Sequence, residues 1–476
     1  MKRYESLAEE IAQSIRLGVM KLGDRLPSVR QASVSRGVSP STVFEAYYLL
    51  EARGLIRARE RSGYYVIAGA KAGLPEPEIF LPPDNETTTV DISGLVFEIL
   101  ESTKTRDIVP FGSAFPSPLL FPLPRLARSM ASSVQEMDPW STVDDLTPGN
   151  GKLRRQIALR YLADGLHIHP DEIVITNGAL EALNLCLSAV VRPGDAVIIE
   201  SPTFYGALQA LEGLGLQAIQ VPTHPRDGID LAELAAALKR HQPKACWLMT
   251  NFQNPLGSLM PDEKKKAVVE LLASHEVPLI EDDVYGELYF GNKRPVPAKA
   301  FDQKGLVMHC SSFSKCLAPG YRVGWAIPGK FTEKVARLKL TRTLSASAPA
   351  QAALADYLTK GGYDKHLRQL RHALSVQQSA MMQAVMRHFP PGTKSTKPYG
   401  GYFLWVELPH TVNTLQIHRQ ALSLGISIAP GPMFSARREF TNCLRLNYGH
   451  PWNAQAESAI ATLSRLIASN TGNASH

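Results

Sequence analysis

Apolar positions change their period along this chain. Over the first fifty residues they fall three and four apart, the spacing of amphipathic helices. Leu7, Ala8, Ile11 and Ile15 predict a first helix. A second begins at Ser28, its N-cap, and breaks at Gly37. Ser39 and Pro40 open a third, whose face of Val43, Ala46, Tyr47 and Leu50 runs on to Gly54. The period then drops to two, so 55–59 and 64–67 read as short strands with Arg61-Ser62-Gly63 turning between them. Residues 69–90 lose the pattern. Proline, glycine and polar residues dominate, which predicts an extended tether. From Leu153 short apolar runs alternate with helical stretches. Strands are expected at 173–176, 196–199, 218–221, 245–249, 278–280 and 306–309, with helices at 178–191 and 205–214. That order means an α/β unit with a mainly parallel sheet. After about residue 330 long helices and strands at 401–408 and 443–447 predict a smaller C-terminal α/β subdomain.

Three helices and a two-stranded ribbon make a winged helix-turn-helix. Charge supports that reading. The 476 residues carry a net +7, and residues 1–70 alone hold eleven Lys/Arg against seven Asp/Glu. A basic N-terminal unit points to a polyanion such as double-stranded DNA. Ser39, Ser41 and Thr42 start the third helix and suit phosphates and base edges. Arg59, Arg61 and Gly63 form the wing tip. A helical protein–protein module with a basic loop would share this outline.

Cysteines 186, 246, 310, 316 and 443 form no Cys-x-x-Cys pair, as expected of reduced thiols in a cytosolic protein. Early acids argue against a signal peptide, and the most apolar stretch, 183–191, is too short to span a bilayer. His167 and His169 are a weak metal signal without further ligands, and no metal is expected.

Ligands of parallel sheets sit at the carboxyl ends of the strands. One strand ends in Thr176-Asn177-Gly178-Ala179 and opens a helix, a place that favours a phosphate. The next ends in an aromatic pair, Phe204 and Tyr205, which core packing alone would also explain. Another brings the amide of Asn254. A fourth ends in Glu281, Asp282 and Asp283, then Tyr285. Three adjacent acids after a buried strand are costly unless one meets a cation. The last runs through Ser311, Ser312 and Ser314 to Lys315 and on to Arg322. Hydroxyls and an arginine suit a phosphate, and a desolvated lysine suits a Schiff base. Alone, Lys315 reads equally as a surface lysine. Together the strand ends supply what pyridoxal 5'-phosphate needs: an amine, an acid for the ring nitrogen, and a phosphate cup.

The segments 23–30, 38–43, 54–56 and 62–66 resemble the GntR-type DNA-binding domain. That resemblance implies DNA contacts at Arg25, Arg30 and Thr42. Pro40 stands where that family commonly has an arginine. From about residue 107 onward the chain resembles fold-type I aminotransferases. The resemblance implies Lys315 as the Schiff-base lysine, Asp282 on the pyridinium nitrogen, and Asn254 and Tyr285 on the ring oxygen. It implies Phe204 on the ring face, Gly178, Ala179, Ser312 and Arg322 around the phosphate with help from Ser314, and Arg445 on a ligand carboxylate. Asp144 departs from the pattern, standing where a tyrosine often reaches the partner subunit's phosphate. The whole chain resembles the MocR-type regulators. Expected, then, is a homodimeric, cytoplasmic transcription regulator with residues 1–70 as DNA reader, 71–90 as linker and 91–476 as aminotransferase-like unit, divided at about residue 330. It would sense an amino acid or amine through an aldimine at Lys315. The rival is a working aminotransferase with an accessory DNA-binding domain.

Overall fold

The computed structural model describes residues 3–16, 19–21, 23–52, 55–59, 62–66, 74–79, 86–101, 107–144 and 146–472. The N-terminal unit contains α1 (Arg3–Arg16), α2 (Val29–Arg36), α3 (Pro40–Ala52), β1 (Ile56–Arg59) and β2 (Gly63–Val66). Local chemistry sets these boundaries. Ser28 and Gln31 form a reciprocal capping box at the start of α2, and Gly37 ends it in the left-handed region at φ 60°. The Thr42 N–H donates to Ser39 Oγ at 3.2 Å, capping α3. Such a cap is worth about 1 kcal/mol. The three helices and the ribbon share a core of Leu7, Ile11, Ile15, Leu26, Val43, Tyr47, Leu50, Ile56 and Val66. Tyr47 Oη donates to Pro27 O at 2.8 Å and ties α3 to the approach of α2. The ribbon is antiparallel, Ile56 opposite Val66 and Arg59 opposite Gly63.

The large unit is built on one mixed sheet. Its order is Thr88–Thr89, Gln217–His224, Ala196–Ser201, Ala245–Leu248, Leu279–Asp282, Val307–Ser312, Gly324–Ile327 and Val174–Thr176, with Gly228–Ile229 hairpinned onto Gln217–His224. The five strands from Gln217–His224 to Val307–Ser312 pair in parallel. Gly324–Ile327 is antiparallel to both neighbours. The sequence reading missed this strand. It is four residues long, follows the lysine strand without a crossover helix, and looks like the tail of a motif. Helices Ala179–Val190, Leu231–His241 and Asp262–Ser274 bury apolar faces against the sheet. A second sheet of Lys394–Ser395, Phe403–Glu407, Cys443–Asn447 and Ala429–Pro430 forms the small subdomain with helices Thr414–Ser423 and Ala454–Gly472. No described helix is long and apolar enough to cross a membrane.

The tether expectation needs correction over its described residues. Leu74 packs against the main core, and Pro75 O accepts from Ser395 N at 2.9 Å. Glu76 pairs with Arg226, and Glu78 with Lys394 at 3.5 Å. Thr88–Thr89 pairs with Gln217 and Ala218 as an edge strand, and Val90 is buried. Proline holds this stretch extended, which exposes its carbonyls as acceptors and lets its acids reach cations on both subdomains.

Candidate functional site

Strand alternation sorts the acidic triplet. Glu281 and Asp283 point one way and Asp282 the other. Glu281 meets His309 Nδ1 at 2.8 Å and accepts from Thr250 Oγ1 at 2.7 Å. Asp283 pairs with Arg294 at 3.1 Å and accepts from Asn251 Nδ2 at 2.8 Å. Asp282 is 1% exposed, and its Oδ1 has no partner among the described residues. Burial pushes its carboxyl up to about 7. The expected cation therefore pairs directly with the flanking acids and leaves Asp282 Oδ1 without a partner among the described residues.

Lys315 follows the strand Val307–Ser312, which pairs in register with Leu279–Asp282. Its Nζ donates to Ala114 O at 2.9 Å and lies 3.8 Å from the Phe115 ring centre. Burial, helped by the Arg445 charge, lowers its ammonium to about 7, while Asp282 opposes the shift. Arg445 is fully buried on an inner strand of the small sheet. It donates to Asn254 Oδ1 at 2.9 Å, Gly112 O at 2.9 Å and Ser113 O at 3.2 Å, with its guanidinium 4.0 Å from the Phe403 ring centre. No carboxylate pairs with it among the described residues, and its Nε is unpartnered, as is Nδ2 of Asn254. Tyr285 is buried edge-on to Tyr402 and Phe403, and burial drives its hydroxyl pKa far up.

The phosphate-cup candidates also meet. Gly178 caps Ala179–Val190 at φ +82°, and a Cβ there would collide with the Arg322 guanidinium. Arg322, itself left-handed at φ 52°, donates to Ser314 Oγ at 3.1 Å and Asn177 O at 3.4 Å. Ser314 N donates to Ser312 Oγ at 3.3 Å. Gly324 lets its strand approach, since a Cβ there would sit 2.6 Å from Gly178 C. Phe204 caps the helix Tyr205–Gly213, its ring centre 4.9 Å from that of Tyr205. Tyr205 is the more buried of the two and packs on Phe434. The Asp144 side chain lies outside the described residues. His169 Nδ1 accepts from Asp171 N at 3.3 Å, a local turn cap.

Sequence reasoning missed the segment Gly112–Phe115. Four consecutive carbonyls are held by site residues: Gly112 and Ser113 by Arg445, Ala114 by Lys315 and Tyr402, Phe115 by Asn447 and His450. It also missed Tyr161, which bridges His309 at 2.7 Å and Trp325 at 2.9 Å behind the lysine strand.

On the N-terminal unit Ser39 Oγ lies 2.9 Å from Ser41 Oγ and 2.8 Å from Thr42 Oγ1 at the start of α3. Arg25 and Arg30 are exposed. The Arg25 guanidinium lies beside Gly63, which turns the ribbon at φ +100°. Arg61 and the Arg59 side chain lie outside the described residues.

Residues 123–463 match the family described as Aminotransferase class I and II. The chain belongs to that family. Residues 3–66 match the bacterial regulatory proteins of the gntR family, so the whole is a MocR-type regulator. The uncharacterized HTH-type transcriptional regulator YdcR of Escherichia coli (strain K12) is 48% identical over 98% of this chain and 99% of its own length. A multiple substrate aminotransferase of Thermococcus profundus is 27% identical, with a TM-score of 0.73 over 79% of this chain and 95% of that structure. LysN, the alpha-aminoadipate aminotransferase of Thermus thermophilus complexed with N-(5'-phosphopyridoxyl)-L-leucine, is 29% identical with a TM-score of 0.72, covering 79% and 95%. The family's cofactor is pyridoxal 5'-phosphate. The residues present fit it. Three buried polar atoms, on Asp282, Asn254 and Arg445, stand without partners among the described residues where a polar ligand would satisfy them.

Proposed function

We propose that this MocR-type regulator senses an amino acid or amine at Lys315 and reports it through DNA binding by residues 1–70. The observation that carries this reading is Arg445, a fully buried guanidinium with no acid beside it among the described residues and an unpartnered Nε. An unpaired buried charge is expensive, and a ligand carboxylate would relieve it bidentately. The cofactor, when bound, supplies an aldehyde that condenses with amines and a ring that draws electron density. The chain supplies the rest. Lys315, with its ammonium lowered to about 7, holds an amine that is substantially neutral at physiological pH, able to bond and to be displaced. Asp282 would hold the proton of the ring nitrogen. Asn254 and Tyr285 would serve the ring oxygen, and Phe204 the ring face. Gly178, Ala179, Ser312, Ser314 and Arg322 would hold the phosphate.

Arg25, Arg30, Ser39, Ser41, Thr42 and Gly63, with Arg59 and Arg61, meet DNA. The units run over 1–70, 71–90 and 91–476, and the protein works as a cytoplasmic homodimer. YdcR and a second Escherichia coli (strain K12) relative, YjiR, 37% identical, are both described as uncharacterized HTH-type transcriptional regulators and each covers 98% of this chain, which favours regulation over turnover. The test titrates amino compounds while following cofactor absorbance and operator affinity together. Both should move together. Displacement of Lys315 with steady turnover and unchanged DNA affinity would leave the aminotransferase reading in its place.

A further inference from the structure

The cofactor site uses the buried orphans of the large unit, yet an exposed feature of the N-terminal unit stays unassigned. α3 buries Val43, Ala46, Tyr47 and Leu50. On its outer face Ser41, Phe44 and Tyr48 follow at three and four residues, so they line one side of the helix. Phe44 is 54% exposed and Tyr48 46%, although α3 also approaches helix Tyr363–His388 of the large unit. The large unit therefore leaves the Phe44 ring bare. One turn before Phe44 stands the hydroxyl cluster of Ser39, Ser41 and Thr42, on the positive end of the helix dipole. Hydroxyls and a helix N-terminus suit phosphate oxygens. Anchoring α3 there sets the next turn along the groove, against base edges.

A phenylalanine ring has no hydrogen-bond donor or acceptor. The apolar group offered by base edges in the major groove is the C5-methyl of thymine. We propose that Phe44 is a specificity-determining residue that reads a thymine methyl in the operator. The inference rests on the DNA-binding reading of residues 1–70. Pro40 fits it: with no arginine at the first turn of α3, that position supplies no guanidinium for guanine, and apolar readout carries more of the selectivity. Burying one methyl is worth about a fourfold change in affinity.

The test uses the full-length protein loaded with pyridoxal phosphate to select duplexes from a random library. The best duplex is remade with each thymine replaced singly by deoxyuridine, which removes the methyl and keeps the pairing. Wild type should bind about fourfold more weakly when one particular thymine is replaced. Phe44→Ala should bind the parent duplex more weakly and show no loss at that base. Phe44→Leu should keep part of the discrimination. The ring is exposed, so the variants should melt like wild type. Wild type indifferent to every uracil overturns the inference, as does a Phe44→Ala protein that still loses affinity at the same base. Recovery of no duplex at all defeats the DNA-binding reading itself, and the inference with it.

Discussion

Asp282 shows how one residue holds stability and function in opposition. Its carboxyl is raised to about 7 by burial, against an ordinary value of 3.8. Between those values the folded cofactor-free protein keeps a proton that the unfolded chain releases. Its stability therefore falls as pH rises from about 4 through 7. Asp282→Asn removes that dependence. The cofactor-free variant should melt about 2–5 °C higher than wild type at pH 8, with the gap closing at low pH. Its cofactor affinity should fall about 10–100-fold, the worth of a hydrogen bond to a charged group. Melts across pH and a cofactor titration check both; a variant with equal melting and equal affinity refutes the role. Lys315 gives a second test. Cofactor capture needs the neutral amine, so its rate should climb as pH rises through about 7. Lys315→Ala should lose the visible band and the borohydride-reducible bond, whereas a retained bond would move the assignment to another lysine. Much of this site was legible because the residues stand at the ends of short apolar runs. The family resemblance singled out Asp282 among the three adjacent acids, but residue pattern alone could not explain why, since that needed the positions of His309 and Arg294.

At the scale of elements, caps and turns were the most readable features. Ser28, Gly37 and Ser39 act through neighbours in sequence, so their chemistry is visible without a fold. The 112–115 segment was not readable, because it acts through backbone carbonyls that every residue possesses. Nor was the proline-rich 74–79 stretch, whose extended form is local but whose partners Arg226 and Lys394 lie far along the chain. The helix-turn-helix makes its own prediction. Arg30 is exposed in α2's first turn, where it would meet a phosphate. Arg30→Ala should weaken binding to all sequences alike and reduce the slope of log affinity against log salt by about 0.9. A shift assay at several salt concentrations measures this. An unchanged slope with unchanged affinity would remove Arg30 from the interface.

At the scale of the whole molecule the proposed sensing raises the question of how an amino compound at Lys315 would affect DNA bound by the N-terminal end of the chain. The 74–79 stretch offers a physical connection. Glu76 holds Arg226 of the large subdomain, while Glu78 and Pro75 hold Lys394 and Ser395 of the small one. The Lys394–Ser395 strand pairs with Phe403–Glu407, which pairs in turn with the strand carrying Arg445, Trp405 opposite Arg445. A carboxylate drawn to Arg445, as proposed, would therefore act on the sheet that anchors the 74–79 stretch. Each pair keeps one well-exposed partner, Arg226 and Glu78, and surface ion pairs contribute little to folding, so Glu76→Ala/Glu78→Ala should fold, bind cofactor and bind DNA as wild type does. What should change is the coupling. If an effector alters DNA affinity by some factor in wild type, DNA must alter effector affinity by the same factor. In the double variant both factors should approach one together, because the connecting stretch no longer distinguishes the two arrangements. Titrating effector with and without operator, and operator with and without effector, closes the thermodynamic cycle. A double variant with wild-type coupling would show that the signal travels by another route, such as the approach of α3 to helix Tyr363–His388.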